Sequence, residues 1–322
     1  MSRWKIWARF FRLPNLGTVP GDPLAGVAYA TVTLGADNVH VPLISRAMMA
    51  LAALALYMFG LADNDIHDCK DDRRTWIRRK DDLDARPLAI DLLTMREAKT
   101  ARALCLAAFA VFGLAGAFPM RWWMLNFAVL AMIFSYNRIK EIYTDWGLWF
   151  MGLCRGLSAA SGAATAYPPN DMLTDLQASQ IGFFLAGWVV YTIAITYLGQ
   201  EEEYADEPLP FHRYMWGLGV FFPFFAIIFF PTPEDVPLKL WFAPSAGMLL
   251  AYVAWCRAVH PLGRRHKPAD RRKAVGRAVG AILLLQMGYF LAPLSWGWTL
   301  AAICLGIFAR RLRRIAPYIS GS

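Results

Sequence analysis

Long apolar runs broken by short polar segments recur along this chain, and their lengths predict membrane-crossing helices rather than the half-buried elements of a soluble domain. The runs fall at about 16–34, 42–62, 101–118, 122–137, 147–166, 179–199, 214–231, 239–257, 276–293 and 295–309. The last two are short, and Pro293 leaves open one longer, kinked element in their place. The expected fold class is therefore all-α, a polytopic membrane helical bundle of nine to ten transmembrane helices.

The polar segments between the runs set the expected orientation. Arg3, Lys5, Arg9 and Arg12 precede the first run, ten Lys and Arg lie from Lys70 to Arg102, Arg138 and Lys140 follow the fourth run, and eight lie from Arg257 to Arg277. The alternate loops, Gly35 to Val41, Tyr167 to Ala178 and Pro231 to Leu238, carry none. Short basic loops stay on the cytoplasmic side, so the basic segments and the N-terminus are expected there. Arg310, Arg311, Arg313 and Arg314 place the C-terminus with them, which requires an even number of crossings and favours ten. Residues 1–322 are expected to form a single membrane domain, with cytoplasmic acidic segments at about 63–100 and 200–213.

Composition sharpens this picture. At 57% apolar residues in 322, the chain is too hydrophobic for a soluble domain of its size. The formal charge of +9 does not imply nucleic acid, because the basic residues sit in loops where they set topology and meet anionic headgroups. The start, Met1 to Arg12, is basic and aromatic, and no cleaved signal peptide is expected from it. Cys69, Cys105, Cys154, Cys256 and Cys304 are scattered, which argues against both a disulfide framework and a zinc site. Trp122, Trp123, Trp146, Trp149, Trp296 and Trp298 are expected to form interfacial belts.

The candidate chemistry begins where the second run ends, at Asn64-Asp65-Ile66-His67-Asp68-Cys69-Lys70-Asp71-Asp72. If the helix continues across that junction, Asp65, Asp68 and Asp72 share one face and Asn64 lies one turn from Asp68. Stacked carboxylates repel unless a cation sits among them, and oxygen-only donors suit Mg²⁺, which commonly completes its shell with substrate phosphate. A solvated acidic helix end is the simpler alternative. A second acidic stretch, Glu201 to Glu207, also follows an apolar run, with Glu202 and Asp206 one turn apart. The two clusters can face each other across one space at the cytoplasmic side.

Phosphate held by carboxylates and metal needs cationic donors around it. Tyr136, Arg138 and Lys140 close the fourth run, and Arg155 lies inside the fifth. Arg138 and Lys140 also have an ordinary role as topology anchors. An arginine within an apolar span is costly and is a functional candidate by default, with snorkelling to the interface as its alternative. Asn15 and Asp22 are polar groups near the start of the first span; Asp22 either caps a broken helix at Pro20-Gly21-Asp22-Pro23 or lines the same space as Asn15.

These residues carry a resemblance. Asn64-Asp65-x-x-Asp68-x-x-x-Asp72 resembles the NDxxDxxxD signature of the UbiA superfamily of intramembrane prenyltransferases. Arg86-Pro87-Leu88, Arg12-x-Pro14-Asn15 and Tyr136-x-x-x-Lys140 are similar to that family's downstream RPL, first-helix and YxxxK elements. The second motif departs from the family pattern in being glutamate-rich, with Glu202 and Asp206 its best match. Ala89-Ile90-Asp91 replaces the usual small turn, and the stretch from Arg73 to Asp84 is longer and more charged than usual. The stretches Leu13 to Gly26 and Gly152 to Gly156 look most like the EboC-like branch, which is linked to export of a metabolite.

The resemblance implies a central cavity open to the cytoplasm and to lipid, in the inner membrane of a bacterium. It implies Mg²⁺ as cofactor, an isoprenyl diphosphate as donor and a lipid or aromatic acceptor. It implies metal ligation by Asn64, Asp65, Asp68, Asp72, Glu202 and Asp206. Diphosphate contacts would come from Asn15, Asn64, Tyr136, Arg138, Lys140 and Arg155. Asp65, Asp68, Asp72 and Lys140 would be the catalytic set. The expected activity is prenyl transfer; the alternative is a non-catalytic membrane component that binds or exports a metabolite precursor. A CDP-alcohol phosphotransferase would need a DGxxAR element before the aspartates, and Asp68 has none before it.

Overall fold

The computed structural model describes residues 2–34, 39, 41–79, 86–139, 144–167, 175–200, 221, 242–263, 268–293 and 295–320. Among these residues the chain is all-α. A short amphipathic helix α1 (Arg3–Phe10) leads through a 3-10 turn (Leu13–Thr18) into α2 (Gly21–Leu34), α3 (Leu43–Arg79), α4 (Met95–Ala115) and α5 (Met120–Ile139). Then come α6 (Thr144–Ala166), α7 (Asp175–Gln200), α8 (Phe242–Val259), a second 3-10 turn (His260–Gly263), α9 (Pro268–Leu291) and α10 (Trp296–Ser320). Among the described residues, five stretches are long and apolar enough to cross a membrane: Leu43–Arg74, Met95–Ala115, Ala178–Gly199, Phe242–Val259 and Lys273–Leu291. The protein is thus a multi-pass membrane helical bundle, as its hydropathy pattern predicts.

The local reasons for the helix limits are visible in the sequence. The first apolar run breaks at Pro20-Gly21-Asp22-Pro23, so only 14 residues, Gly21–Leu34, are α-helical after the 3-10 turn. At 1.5 Å per residue that is about 21 Å, short of a full crossing. In contrast, α3 runs for 37 residues through the whole acidic stretch without a break, about 55 Å. The helical phase expected of Asp65, Asp68 and Asp72 is therefore real. Thr94 and Glu97 form a reciprocal capping box that starts α4, satisfying two of the amide donors a helix N-terminus leaves open. Near Pro293 the chain ends one helix at Leu291 and opens another at Trp296, so this proline separates two helices rather than kinking one. The expected span at 214–231 lies outside the described residues apart from Phe221.

Neighbours in sequence pack as neighbours in space: α3 against α4, α5 against α6, α6 against α7, and α8 against α9. The non-sequential contact that closes the amino-terminal part is α2 against α6. It depends on two glycines, because a Cβ at Gly26 would lie 1.9 Å from the carbonyl oxygen of Ala159 and one at Gly162 would lie 1.7 Å from that of Pro23. Small residues let helix backbones approach in this way, and inside a bilayer such packing is a main source of helix association. The carboxy-terminal part returns to the start of the chain, with α9 on α2 and α10 on the first 3-10 turn.

Aromatic residues fill the seam between these parts. Tyr29 and Phe184 stack with centroids 4.4 Å apart, Tyr289 meets both edge-on, and Trp188 extends the group. Two of the expected interfacial tryptophans prove to be core residues instead. Trp122 stacks between Phe109 and Phe118, and Trp298 is buried beside Phe290. Each finds an aromatic partner inside the bundle, which hydropathy alone does not reveal. Trp146 and Trp149 are exposed, as belts require.

Candidate functional site

Asp65, Asp68 and Asp72 of α3 share one face, and the guanidinium of Arg86 lies among them. Arg86 Nη1 is 3.2 Å from Asp65 Oδ1, 2.8 Å from Asp68 Oδ2 and 2.9 Å from Asp72 Oδ2. Asn64 donates its side-chain amide to Asp68 Oδ2 at 3.0 Å. On the other side, Arg12 Nη2 donates to Asp65 Oδ1 at 2.7 Å, reaching from the turn after α1. Arg12 has φ 45°, a left-handed conformation rare for a side-chain-bearing residue, and such strain gathers at functional sites.

Asp65 is only 2% exposed, so its charge depends on these two guanidinium groups. Burial alone would lower the proton affinity of Arg86. Asp65, Asp72 and Asp68 outweigh it and hold the guanidinium above its ordinary pKa. The contact to Asp72 is different in kind: Asp72 Oδ2 is buried and has no aligned hydrogen-bond donor, so Arg86 neutralises it by charge alone.

One residue earlier, Asp63 anchors a second network that sequence reasoning did not single out. It is fully buried and accepts from Arg102 Nη1 of α4 at 2.7 Å and from Asn137 Nδ2 of α5 at 2.6 Å. His67 Nδ1 lies 3.6 Å from its carboxylate and 2.8 Å from its backbone carbonyl. Three helices are thus pinned together at the level of the acidic face. Asn137 is the neighbour of Tyr136, and the charges of Asp68, Arg12 and Arg86 all act on Tyr136. The signal available in the sequence was the adjacency of Asp63 to Asn64 and of Asn137 to Tyr136.

The other expected site residues fall in different places. Arg138 is exposed and turns back on its own helix, donating to the Phe134 carbonyl at 2.9 Å and lying over the Phe134 ring. Asn15 is exposed, in the 3-10 turn beside Arg12. Arg155 donates to Asp22, Nε to Oδ2 at 2.9 Å and Nη2 to Oδ1 at 2.8 Å, and Nη2 also to the Thr18 carbonyl at 3.3 Å. Trp188 Nε1 and Gln286 Nε2 also donate to Asp22 Oδ1, at 3.0 and 2.8 Å. Lys140, Glu202 and Asp206 lie outside the described residues.

Whether these residues suit a divalent metal can be tested on their chemistry. Among the described residues no group of three His, Cys, Asp or Glu side chains is placed to hold an ion, and Arg86 Nη1 stands between Asp65, Asp68 and Asp72. The donors themselves fit. They are hard oxygen ligands, they converge on a position already held by positive charge, and the orphaned Asp72 Oδ2 would be satisfied by an ion that imposes no hydrogen-bond direction.

No protein-family model matches this sequence, and no curated protein does. Solved structures are similar in fold. The apo structure of a UbiA homolog from Aeropyrum pernix K1 aligns at a TM-score of 0.61 with 15% identity, over 85% of this chain and 96% of that one. A structure described under insights into the biosynthesis of digeranylgeranylglyceryl phosphate synthase in membranes aligns at 0.53 with 13% identity, over 91% of this chain and 99% of that one. Fold is what such likeness carries at these identities, and the fold of this chain is UbiA-like.

Proposed function

We propose that this protein is a Mg²⁺-dependent prenyltransferase that moves a prenyl group from an isoprenyl diphosphate to a lipid or aromatic acceptor within the membrane. The observation that carries the reading is the convergence of Asp65, Asp68 and Asp72 on one cationic position beside Arg12, in a UbiA-like fold. Asn64, Asp65, Asp68 and Asp72, with Glu202 and Asp206, would hold Mg²⁺ in a central cavity open to the cytoplasmic side. When bound, the metal supplies positive charge against the diphosphate oxygens.

Arg12, Arg86, Tyr136 and Lys140 would donate to the same oxygens, with Asn15 and Arg138 at the rim. By stabilising the departing pyrophosphate they favour rupture of the allylic C–O bond, whose electron pair leaves on oxygen. The acceptor then forms the new bond to the allylic carbon and loses a proton. Apolar walls would keep water from the allylic cation.

A second reading has its own support: Arg86 already offsets part of the charge of the acidic face, and the second acidic motif is glutamate-rich. On that reading, which the EboC-like resemblance also favours, the protein binds or exports a metabolite precursor without turnover. Purified protein is to be incubated with Mg²⁺, prenyl diphosphates of several chain lengths and a panel of acceptors. Pyrophosphate release that Asp68→Ala abolishes supports the transferase. Tight binding of the diphosphate with no release supports the second reading.

A further inference from the structure

We infer that Arg86 is a built-in counter-ion which holds the acidic face closed in the metal-free protein and which a divalent cation must displace. This rests on the reading of that face as a cation site. Three carboxylates on one helix face cannot remain charged and close together without compensation, and Arg86 Nη1 touches all three, at 3.2, 2.8 and 2.9 Å. It occupies the position a metal ion would need.

The fit of the guanidinium is incomplete. Its planar fork aligns hydrogen bonds with Asp65 and Asp68 but not with Asp72, whose Oδ2 remains a buried acceptor without a donor. A small divalent ion carries twice the charge and binds a carboxylate oxygen with no donor hydrogen to align, so it can satisfy the oxygen that Arg86 leaves.

The surroundings allow the side chain to leave while the backbone stays. Arg86 opens a turn fixed by Leu88 and Leu93, which are buried with Ile6, Phe10, Ala62 and Ala98. Arg73 Nε bonds the Ala89 carbonyl at 3.1 Å, and Leu92 N bonds the Pro87 carbonyl at 3.0 Å. The Arg86 side chain itself is 32% exposed and has a path to solvent. Asp65 keeps Arg12 at 2.7 Å after Arg86 departs, so the most deeply buried of the three carboxylates is never left bare. Metal entry and guanidinium release are thus two sides of one exchange. The affinity measured for the metal is reduced by the fraction of molecules in which Arg86 is in place.

The test uses Mn²⁺ alone, titrated into the detergent-solubilised full chain and followed by its electron paramagnetic resonance signal, for wild type and Arg86→Gln. The competition predicts Mn²⁺ affinity about tenfold tighter or more in Arg86→Gln, together with a lower metal-free melting temperature that saturating Mn²⁺ restores. Equal or weaker affinity in the variant overturns it. Arg86→Lys, which keeps one charge but loses the fork, is to fall between the two and serves if the glutamine variant does not fold; affinity for Mn²⁺ below wild type in Arg86→Lys would likewise refute the exchange. Unchanged Mn²⁺ affinity in a protein whose wild type still releases pyrophosphate defeats the exchange and leaves the transferase reading standing. Tightened Mn²⁺ binding without turnover of any prenyl diphosphate supports the exchange and defeats the transferase.

Discussion

Arg155 and Asp22 meet as a two-pronged ion pair inside the bundle, Nε to Oδ2 at 2.9 Å and Nη2 to Oδ1 at 2.8 Å, one from the middle of α6 and the other from the first turn of α2. Trp188 of α7 and Gln286 of α9 complete the shell of Asp22. Gln286 Nε2 also donates to the Thr18 carbonyl at 2.7 Å, so four helices and a 3-10 turn are fixed around one carboxylate. The arginine that hydropathy marks as costly has its compensation in the same structure.

Removing one partner leaves a buried charge unpaired. Asp22→Ala is expected to destabilise the protein by about 3–5 kcal/mol, read as a large drop in melting temperature in detergent. Replacing both, Asp22→Leu with Arg155→Met, is expected to recover much of that loss. A single variant that melts with wild type would show that the pair contributes nothing to the bundle.

At the acidic face the expectation concerns chemistry rather than folding. Asp65→Asn keeps the shape and removes the charge that Arg12 and Arg86 share. Pyrophosphate release is expected to fall by about a hundredfold or more, on the scale of losing one preorganised electrostatic contact. Chelation of divalent metal should abolish release in wild type and be reversed by Mg²⁺. Turnover that persists in excess chelator would remove metal from the mechanism.

Asp63 is expected to act through the positions of other groups. Asp63→Asn leaves Arg102 without its buried carboxylate and weakens the tie to Asn137. The Arg102 side chain is a third exposed, so the loss should be about 2–4 kcal/mol, below that of a fully enclosed pair. Turnover should fall with little change in Mn²⁺ affinity, because Asp63 faces α4 and α5 through Arg102 and Asn137. A parallel collapse of Mn²⁺ binding would instead make it a ligand.

The α2–α6 contact yields a paired test. Gly162→Ala would place a Cβ 1.7 Å from the Pro23 carbonyl oxygen and should cost about 1–3 kcal/mol through overpacking. Gly182 on α7 has nothing within 4 Å of the same added atom, so Gly182→Ala should be neutral or slightly stabilising by helix propensity. Comparable melting temperatures for the two variants would contradict the close approach of the helices.

Much of the architecture was legible along the chain. Apolar run length marks helices because a bilayer leaves no other way to satisfy an isolated backbone segment, and most of the runs at 42–62 and 101–118 falls in α3 (Leu43–Arg79) and α4 (Met95–Ala115). The acidic face was legible because a helix converts spacing directly into direction: once α3 continues to Arg79, Asp65, Asp68 and Asp72 share a side. The break before α2 was visible in two prolines around a glycine.

Pairings were not legible, since which residue meets which depends on how helices from distant parts of the chain pack. Nothing near Asp22 in sequence points to Arg155, 133 residues away, or to Gln286, 264 away. Arg86 was marked only as part of an Arg-Pro-Leu element and Arg102 only as a topology charge, yet one sits among three carboxylates and the other seals Asp63. Trp122 and Trp298 looked interfacial and are core. The sequence by itself determined the membrane, the helices and the direction in which the carboxylates point, because these follow from local spacing and solvent. Tertiary structure alone decided which cation each carboxylate receives, because charge in a low-dielectric interior is settled by the nearest partner in space.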